Sequence, residues 1–238
     1  MDRHFRFLAP RTDIDSRARF LTQQDLPALI ELEHEKWEAD QAASPAELQA
    51  RIEAHPDLAL GAFCPLTGNL LASLFLKPVP DGFYRYVSTW SDCTSQPAPP
   101  ASISLFGLSL SSRHQSGVDA LFNFFWPYAL KRGWRHIYLG SPMPGLSGWR
   151  RRHPHGCVND YAYARRAGRP LDPQLRYYHR RGFTKIVGVK PGYFPHQRSL
   201  DYGVLLRGSI PLSTLAPLWA ALPLPLVRNV TQPLAKLI

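Results

Sequence analysis

The stretch Leu105–Gly140, LFGLSLSSRHQSGVDALFNFFWPYALKRGWRHIYLG, constrains the fold of this chain more than any other. Ser102 to Leu110 carries enough alternating apolar residues for a strand, and Ser111 to Gly117 breaks that pattern with a polar turn. Leu121, Phe124, Phe125, Tyr128 and Ala129 then recur at helical spacing until Gly133 stops the helix. Ile137 to Leu139 resume a buried strand. The first N–H groups of a helix lack intrahelical partners, and its dipole favours negative charge there. Strand, turn, helix and strand together predict a phosphate-cradling unit.

At 238 residues, 45% hydrophobic and 19% charged, the chain is long enough to bury a substantial core. It holds no apolar run of about 18 residues, so no transmembrane segment is expected. The start MDRHFRFLAPRTDID lacks the apolar centre of a signal peptide, and Cys64, Cys93 and Cys157 form neither a C-x-x-C nor a disulfide framework. A cytoplasmic protein is the expectation. The formal charge of +10 comes largely from arginine, clustered at Arg150–Arg152, at Arg165, Arg166 and Arg169, and at Arg176, Arg180 and Arg181. This field suits anions of any kind and leaves open a solvated face or a docking surface. No zinc-finger, RNA-binding aromatic or leucine-zipper pattern accompanies it, so nucleic acid is not the expected partner.

Read in order, residues 1 to about 17 form a polar lead and Arg19 to Thr22 a first strand. Thr22 or Asp25 then caps a helix bearing Leu26, Leu29, Ile30, Leu32, Glu33 and Trp37 on one face. Ser44-Pro45-Ala46-Glu47 starts a second helix that ends near His55-Pro56. Leu58 to Phe63 and Leu70 to Leu76 make a hairpin. Asp81 to Ala101 is a Pro/Ser-rich surface excursion in which Tyr84, Tyr86 and Trp90 suggest packing. Beyond the organising unit, Pro142 to Asp172 reads as a long loop, Asp172-Pro173 starts a helix that Gly182 closes, and Phe183–Lys190 and Ser199–Arg207 are closing strands. The Leu/Pro-rich tail from Gly208 is expected to pack back on the domain.

This order resembles the GNAT N-acyltransferase superfamily over about residues 18 to 207, with residues 208 to 238 as a C-terminal extension of a single domain. Arg19–Pro27 is similar to its opening strand and first helix, and Gln174–Phe183 to its late helix, of pattern aromatic-Tyr-x-x-x-Gly-Phe. Tyr138–Gly145, Gly168–Tyr177, Pro191–Pro195 and Gly203–Leu206 resemble one subgroup. Its members include nitrilase-fused GNAT domains and the GNAT-like loading domains of polyketide synthases. The resemblance implies an α/β (α+β) fold with a mixed, mostly antiparallel sheet of about seven strands, the fourth and fifth splayed.

It also implies acyl transfer from a pantetheine thioester, acetyl-CoA or another acyl-CoA, to a small-molecule amine, without a metal. The alternatives are transfer to or from an acidic acyl carrier protein in secondary metabolism, or a non-catalytic GNAT-shaped binding module. The family's phosphate turn reads Gln or Arg, two residues, Gly, one residue, Gly or Ala. Here it maps onto Arg113, His114, Gln115, Ser116, Gly117 and Val118, followed by Asp119. Ser116 and Val118 stand where glycine and glycine/alanine are usual. Moving the frame by one puts Gly117 on the first glycine but leaves His114 and Asp119 out of pattern. The departure implies a looser pyrophosphate site, which suits a carrier-borne thioester.

By the same resemblance Tyr178 is the acid that protonates the leaving thiolate, and backbone N–H groups near Leu108 to Leu110 meet the thioester carbonyl. The loading domains carry a histidine at the position of Tyr178, linked with decarboxylation, and a threonine at that of Ser141. Tyrosine argues against the decarboxylating variant, whereas Ser141 either hydrogen-bonds the acyl group or merely ends a strand. For a general base, His153, His155, Asp160, His179 and His196 all remain open. His153-Pro-His155 is too short and isolated a pair to chelate a metal.

Overall fold

The computed structural model describes residues 14–37 and 41–234, so the expected polar lead lies almost wholly outside the described residues. The first strand is β1 (Arg17–Phe20), earlier than its pattern suggests. Thr22 is drawn into a helix start instead: its N–H donates to the Asp25 carboxylate at 2.8 Å. A short 3₁₀ turn then leads into α1 (Leu26–Lys36). α2 (Pro45–Ala54) begins as expected, Ser44 Oγ accepting from Glu47 N and Glu47 Oε2 from Ser44 N. β2 (Ala59–Phe63) and β3 (Leu70–Val79) form the hairpin.

The excursion after β3 is more ordered than its composition suggests. It carries α3 (Trp90–Thr94), capped by Thr89, and buries Phe83, Val87 and Cys93, while Tyr86 stays exposed. β4 (Ser104–Ser112) reaches two residues further than its apolar alternation, so only Arg113 and His114 separate it from α4 (Gln115–Arg132). β5 (His136–Pro142) follows. The expected long loop instead contains α5 (Leu146–Arg152), α6 (Val158–Tyr163) and a small hairpin, β6 (Arg165–Arg166) with β7 (Arg169–Pro170). Buried Asp172 organises it, accepting from Tyr161 Oη at 2.8 Å and Gly145 N at 3.0 Å while capping α7 (Pro173–Arg180) through Gln174 N. One carboxylate thus binds two distant points of the segment that composition alone reads as irregular.

β8 (Lys185–Lys190) and β9 (Gly203–Ser209) complete a seven-stranded sheet of order β1-β2-β3-β4-β5-β9-β8. All pairs in it are antiparallel except β4 with β5. α4 and α7 cover one face; α1, α2 and the excursion cover the other. The tail forms α8 (Ala216–Ala221) and α9 (Leu224–Leu234) and packs on α4, with Trp219 and Val227 buried and Trp126 Nε1 donating to Pro211 O at 2.9 Å. Among the described residues no helix is long and apolar enough to cross a membrane.

Candidate functional site

The parallel pair is zipped only part-way. β4 and β5 pair from Ser104–His136 to Gly107–Leu139 and then part, although β4 runs on to Ser112 and β5 to Pro142. A bulge starts the divergence: Phe75 pairs with Ser109 and Leu76 with Gly107, leaving Leu108 without a partner on β3. An extra residue bends the strand that carries it. β5 meanwhile follows β9, to which it stays paired through Pro142 and Gly203. In consequence Gly107, Leu108, Ser109 and Leu110 are half-exposed in the middle of a sheet. Backbone N–H and C=O groups facing such a gap need partners, and an extended arm bearing amides supplies them.

The turn between β4 and α4 satisfies much of itself. His114 is the helix cap, its Nδ1 accepting from Ser116 N at 3.3 Å and lying 2.8 Å from Ser116 Oγ. Arg113 Nε donates to Glu35 Oε2 at 2.5 Å and its NH1 group to Leu70 O at 3.1 Å, so the guanidinium is tied towards α1 and β3. Gln115 donates to Asp119 at 2.9 Å, and Arg181 of the α7–β8 turn meets the same carboxylate at 3.2 Å. Val118 is core, and a Cβ on Gly117 would stand 3.0 Å from Ala72 Cβ. Glycine here lets α4 approach β3 closely, and the negative charge of Asp119 is answered by Arg181.

Tyr178 lies on α7, on the α4 side of the sheet, half-buried against the main core with its ring 6.0 Å from Phe183 and 5.2 Å from Tyr177. Burial pushes its phenol up to about 12, with the nearby Gln174 side chain and Arg181 charge opposing it. The hydroxyl therefore stays protonated at neutral pH, as a proton donor must. Ser141, at the parted end of β5, is fully buried with Oγ donating to Pro142 O at 2.9 Å. The five base candidates lie in different surroundings. His153 stacks on Trp149, Asp160 accepts from Cys157 N, and His179 lies near Arg165. His196 Nδ1 meets Ser199 Oγ at 2.7 Å, and His155 is exposed. Among the described residues no cluster of three or more His, Cys, Asp or Glu is placed to hold a metal ion.

No protein-family model and no curated protein matches the chain. Solved structures do. The loading GNATL domain of CurA from Lyngbya majuscula superposes with a TM-score of 0.69 at 19% identity, over 82% of this chain and 98% of that one. The GphF GNAT-like decarboxylase, in complex with isobutyryl-CoA, gives 0.65 at 22% identity, over 82% and 99%. The ribosomal-protein-S18-alanine N-acetyltransferase from Escherichia coli gives 0.50 at 12% identity, over 82% and 94%. The chain has the GNAT fold.

On the GNAT frame the face opposite Tyr178 carries residues that sequence reasoning missed. Tyr193, between β8 and β9, is buried across β5 and β9: a Cβ on Gly140 would lie 2.4 Å from its Oη, and one on Gly203 2.2 Å from its Cδ1. Its hydroxyl lies 3.5 Å from Cys93 Sγ, and burial raises both groups, the thiol to about 11. On the same face of the sheet, Ser111 of β4 donates to buried Glu33 at 2.8 Å and accepts from Trp37 Nε1 at 2.7 Å, while Arg51 of α2 reaches Ser109 Oγ at 3.3 Å. A glutamate and an arginine on otherwise apolar helix faces were the available signal.

Proposed function

We propose that this protein is an acyltransferase that takes an acyl group, acetyl first among them, from a pantetheine thioester to an amine. The observation that carries the reading is the parting of β4 and β5 after Gly107 and Leu139, with Leu108–Leu110 half-exposed and Tyr178 on the α4 side. An acyl-CoA or acyl-pantetheine arm laid along the gap would meet those backbone groups, and an N–H near Leu108 or Leu110 would polarise the thioester carbonyl. The amine forms the C–N bond as the C–S bond breaks. The Tyr178 phenol gives its proton to the thiolate sulfur, and the amine proton leaves to solvent or a base. Ser141 closes the acyl end of the gap. The test is titration with acetyl-CoA and isobutyryl-CoA followed by turnover in a pooled amine mixture; no saturable binding to either thioester overturns the reading.

A second reading keeps the fold and takes the thioester from an acyl carrier protein. His114 occupying an amide of the turn and Arg113 held by Glu35 leave less of the turn for a pyrophosphate, which a carrier-borne arm lacks. Exposed Arg151, Arg152, Arg165, Arg166 and Arg169 suit an acidic carrier surface. The likeness to a loading domain points the same way. Intact-mass analysis of an acyl carrier protein incubated with acyl-CoA and this protein separates the two.

A further inference from the structure

The two faces of the parted strands differ in chemistry. Tyr178 and the start of α4 lie on one side. On the other, Ser109 and Ser111 present hydroxyls towards α1 and α2. Arg51 comes from α2 across the Phe75 ring, 5.8 Å from its centroid, and hydrogen-bonds Ser109 in the half-exposed stretch. A surface arginine keeps its charged head in water; this one is drawn over a sheet. Burial lowers its pKa, and Glu33 and Glu47 oppose that only through space. Among the described residues no carboxylate lies within ion-pair distance of it. A guanidinium has five N–H donors in a planar fork that fits a carboxylate in two-point fashion. Glu33 is held apart, its carboxylate taken by Ser111, which is braced in turn by the Trp37 indole. The cluster is therefore a cation presented at the cleft with its counter-charge withheld.

We propose that Arg51 and Ser109 bind a carboxylate of the acceptor, so that the acceptor amine is an amino acid or a similar amine carrying a carboxylate. The assignment to the acceptor rests on the acyltransferase reading: if the thioester arm lies on the side of α4 and Tyr178, the reactant meeting the α1–α2 face is the amine. Glu33 is a positioning residue, orienting Ser111 and setting the field around Arg51.

Two measurements test this, one of them independent of turnover. In the first, succinate and its neutral diamide are titrated into the wild-type protein, Arg51→Gln, Arg51→Lys and Ser109→Ala, followed by NMR line shape and melting temperature. Saturable succinate binding is expected, with none for the diamide, weakened about tenfold or more in Arg51→Gln and less in Ser109→Ala. Should Arg51→Gln fail to fold, Arg51→Lys and Ser109→Ala give the same ordering. In the second, acetyl-CoA turnover is compared for amino acids and their amides, with the loss in Arg51→Gln expected in KM for the acids. Arg51-dependent succinate binding without thioester binding supports the subsite and overturns the acyltransferase reading. Turnover equally good with amides, or succinate binding untouched in every variant, overturns the subsite and leaves the acyltransferase reading standing.

Discussion

The side-chain amide of Gln41 donates to the carbonyl of Pro195 at 2.9 Å, a bond that joins the α1–α2 connection to the β8–β9 connection across the parted strands. Both partners are exposed or half-exposed, so the bond contributes little to global stability. Gln41→Ala is expected to change unfolding free energy by no more than about 0.5 kcal/mol. It should nonetheless speed amide exchange across residues 193 to 202, read by hydrogen–deuterium exchange mass spectrometry. Unchanged exchange there would show the two connections to be independent.

Tyr193 and Gly140 offer the opposite case, a contact in which stability is the readout. A methyl on Gly140 has nowhere to go, with the Tyr193 ring and hydroxyl inside van der Waals range. Gly140→Ala is expected to cost about 1–3 kcal/mol by overpacking, and combined with Tyr193→Ala the double variant should cost less than the sum of the two single costs, because the clash goes with the ring. Urea denaturation of the single and double variants measures this.

For Tyr178, replacement by phenylalanine keeps the ring contacts with Phe183 and Tyr177 and removes only the proton. Loss of about 10²-fold in kcat with a small change in KM is the expected outcome for a general acid. The pH profile adds a sign. Because the phenol is pushed up to about 12, activity should not fall as pH rises through the ordinary tyrosine value near 10. A wild-type rate lost with an apparent pKa near 10 would contradict the environment described.

Asp25 gives a pH prediction for stability. Its carboxylate is pulled below the ordinary value of 3.8, first by the Arg19 hydrogen bonds and then by Thr22 N–H, against desolvation. A folded-state pKa below the unfolded one means the contribution is present above pH ~4 and disappears as pH falls through the depressed value. Asp25→Asn should therefore destabilise the protein by about 1 kcal/mol at pH 7. The gap between the two proteins should shrink towards zero in denaturation curves below about pH 3.

His114→Ala removes the cap of α4 and releases Ser116 N–H. A cap is worth about 1 kcal/mol. If the turn is self-satisfied at the expense of phosphate, the variant should be less stable yet bind CoA as well as or better than wild type. Thermal melts with and without CoA distinguish this from a turn that uses His114 to hold the ligand.

The strand and helix order was legible because local rules and tertiary context agree there: the Ser44 cap, the Asp172-Pro173 start and the β2–β3 hairpin all persist. Leu108 to Asp119 and Tyr178 could be put forward as candidates because each belongs to a contiguous motif. The face built by Glu33, Arg51 and Tyr193 could not, because its members come from α1, α2 and the β8–β9 connection and meet only through the sheet. Pro142 to Asp172 was misread for a related reason: Asp172 joins Gly145, Tyr161 and Gln174, and no local pattern announces a shared partner.

The unpartnered Leu108 has a reach beyond its own position. Upstream of it Leu105 faces the main core, and strict alternation from there would send Ser109 and Ser111 to that same side and Leu110 to the other. The structure has the reverse, with Leu110 packed on the main core and both serines on the side of α1 and α2. The extra residue thus keeps leucine on the main-core side along the whole strand and sends both hydroxyls to the other. An in-frame deletion of that one codon would let Ser109 follow Gly107 in plain alternation, leaving leucines and hydroxyls on their present sides while straightening the strand whose bend opens the gap.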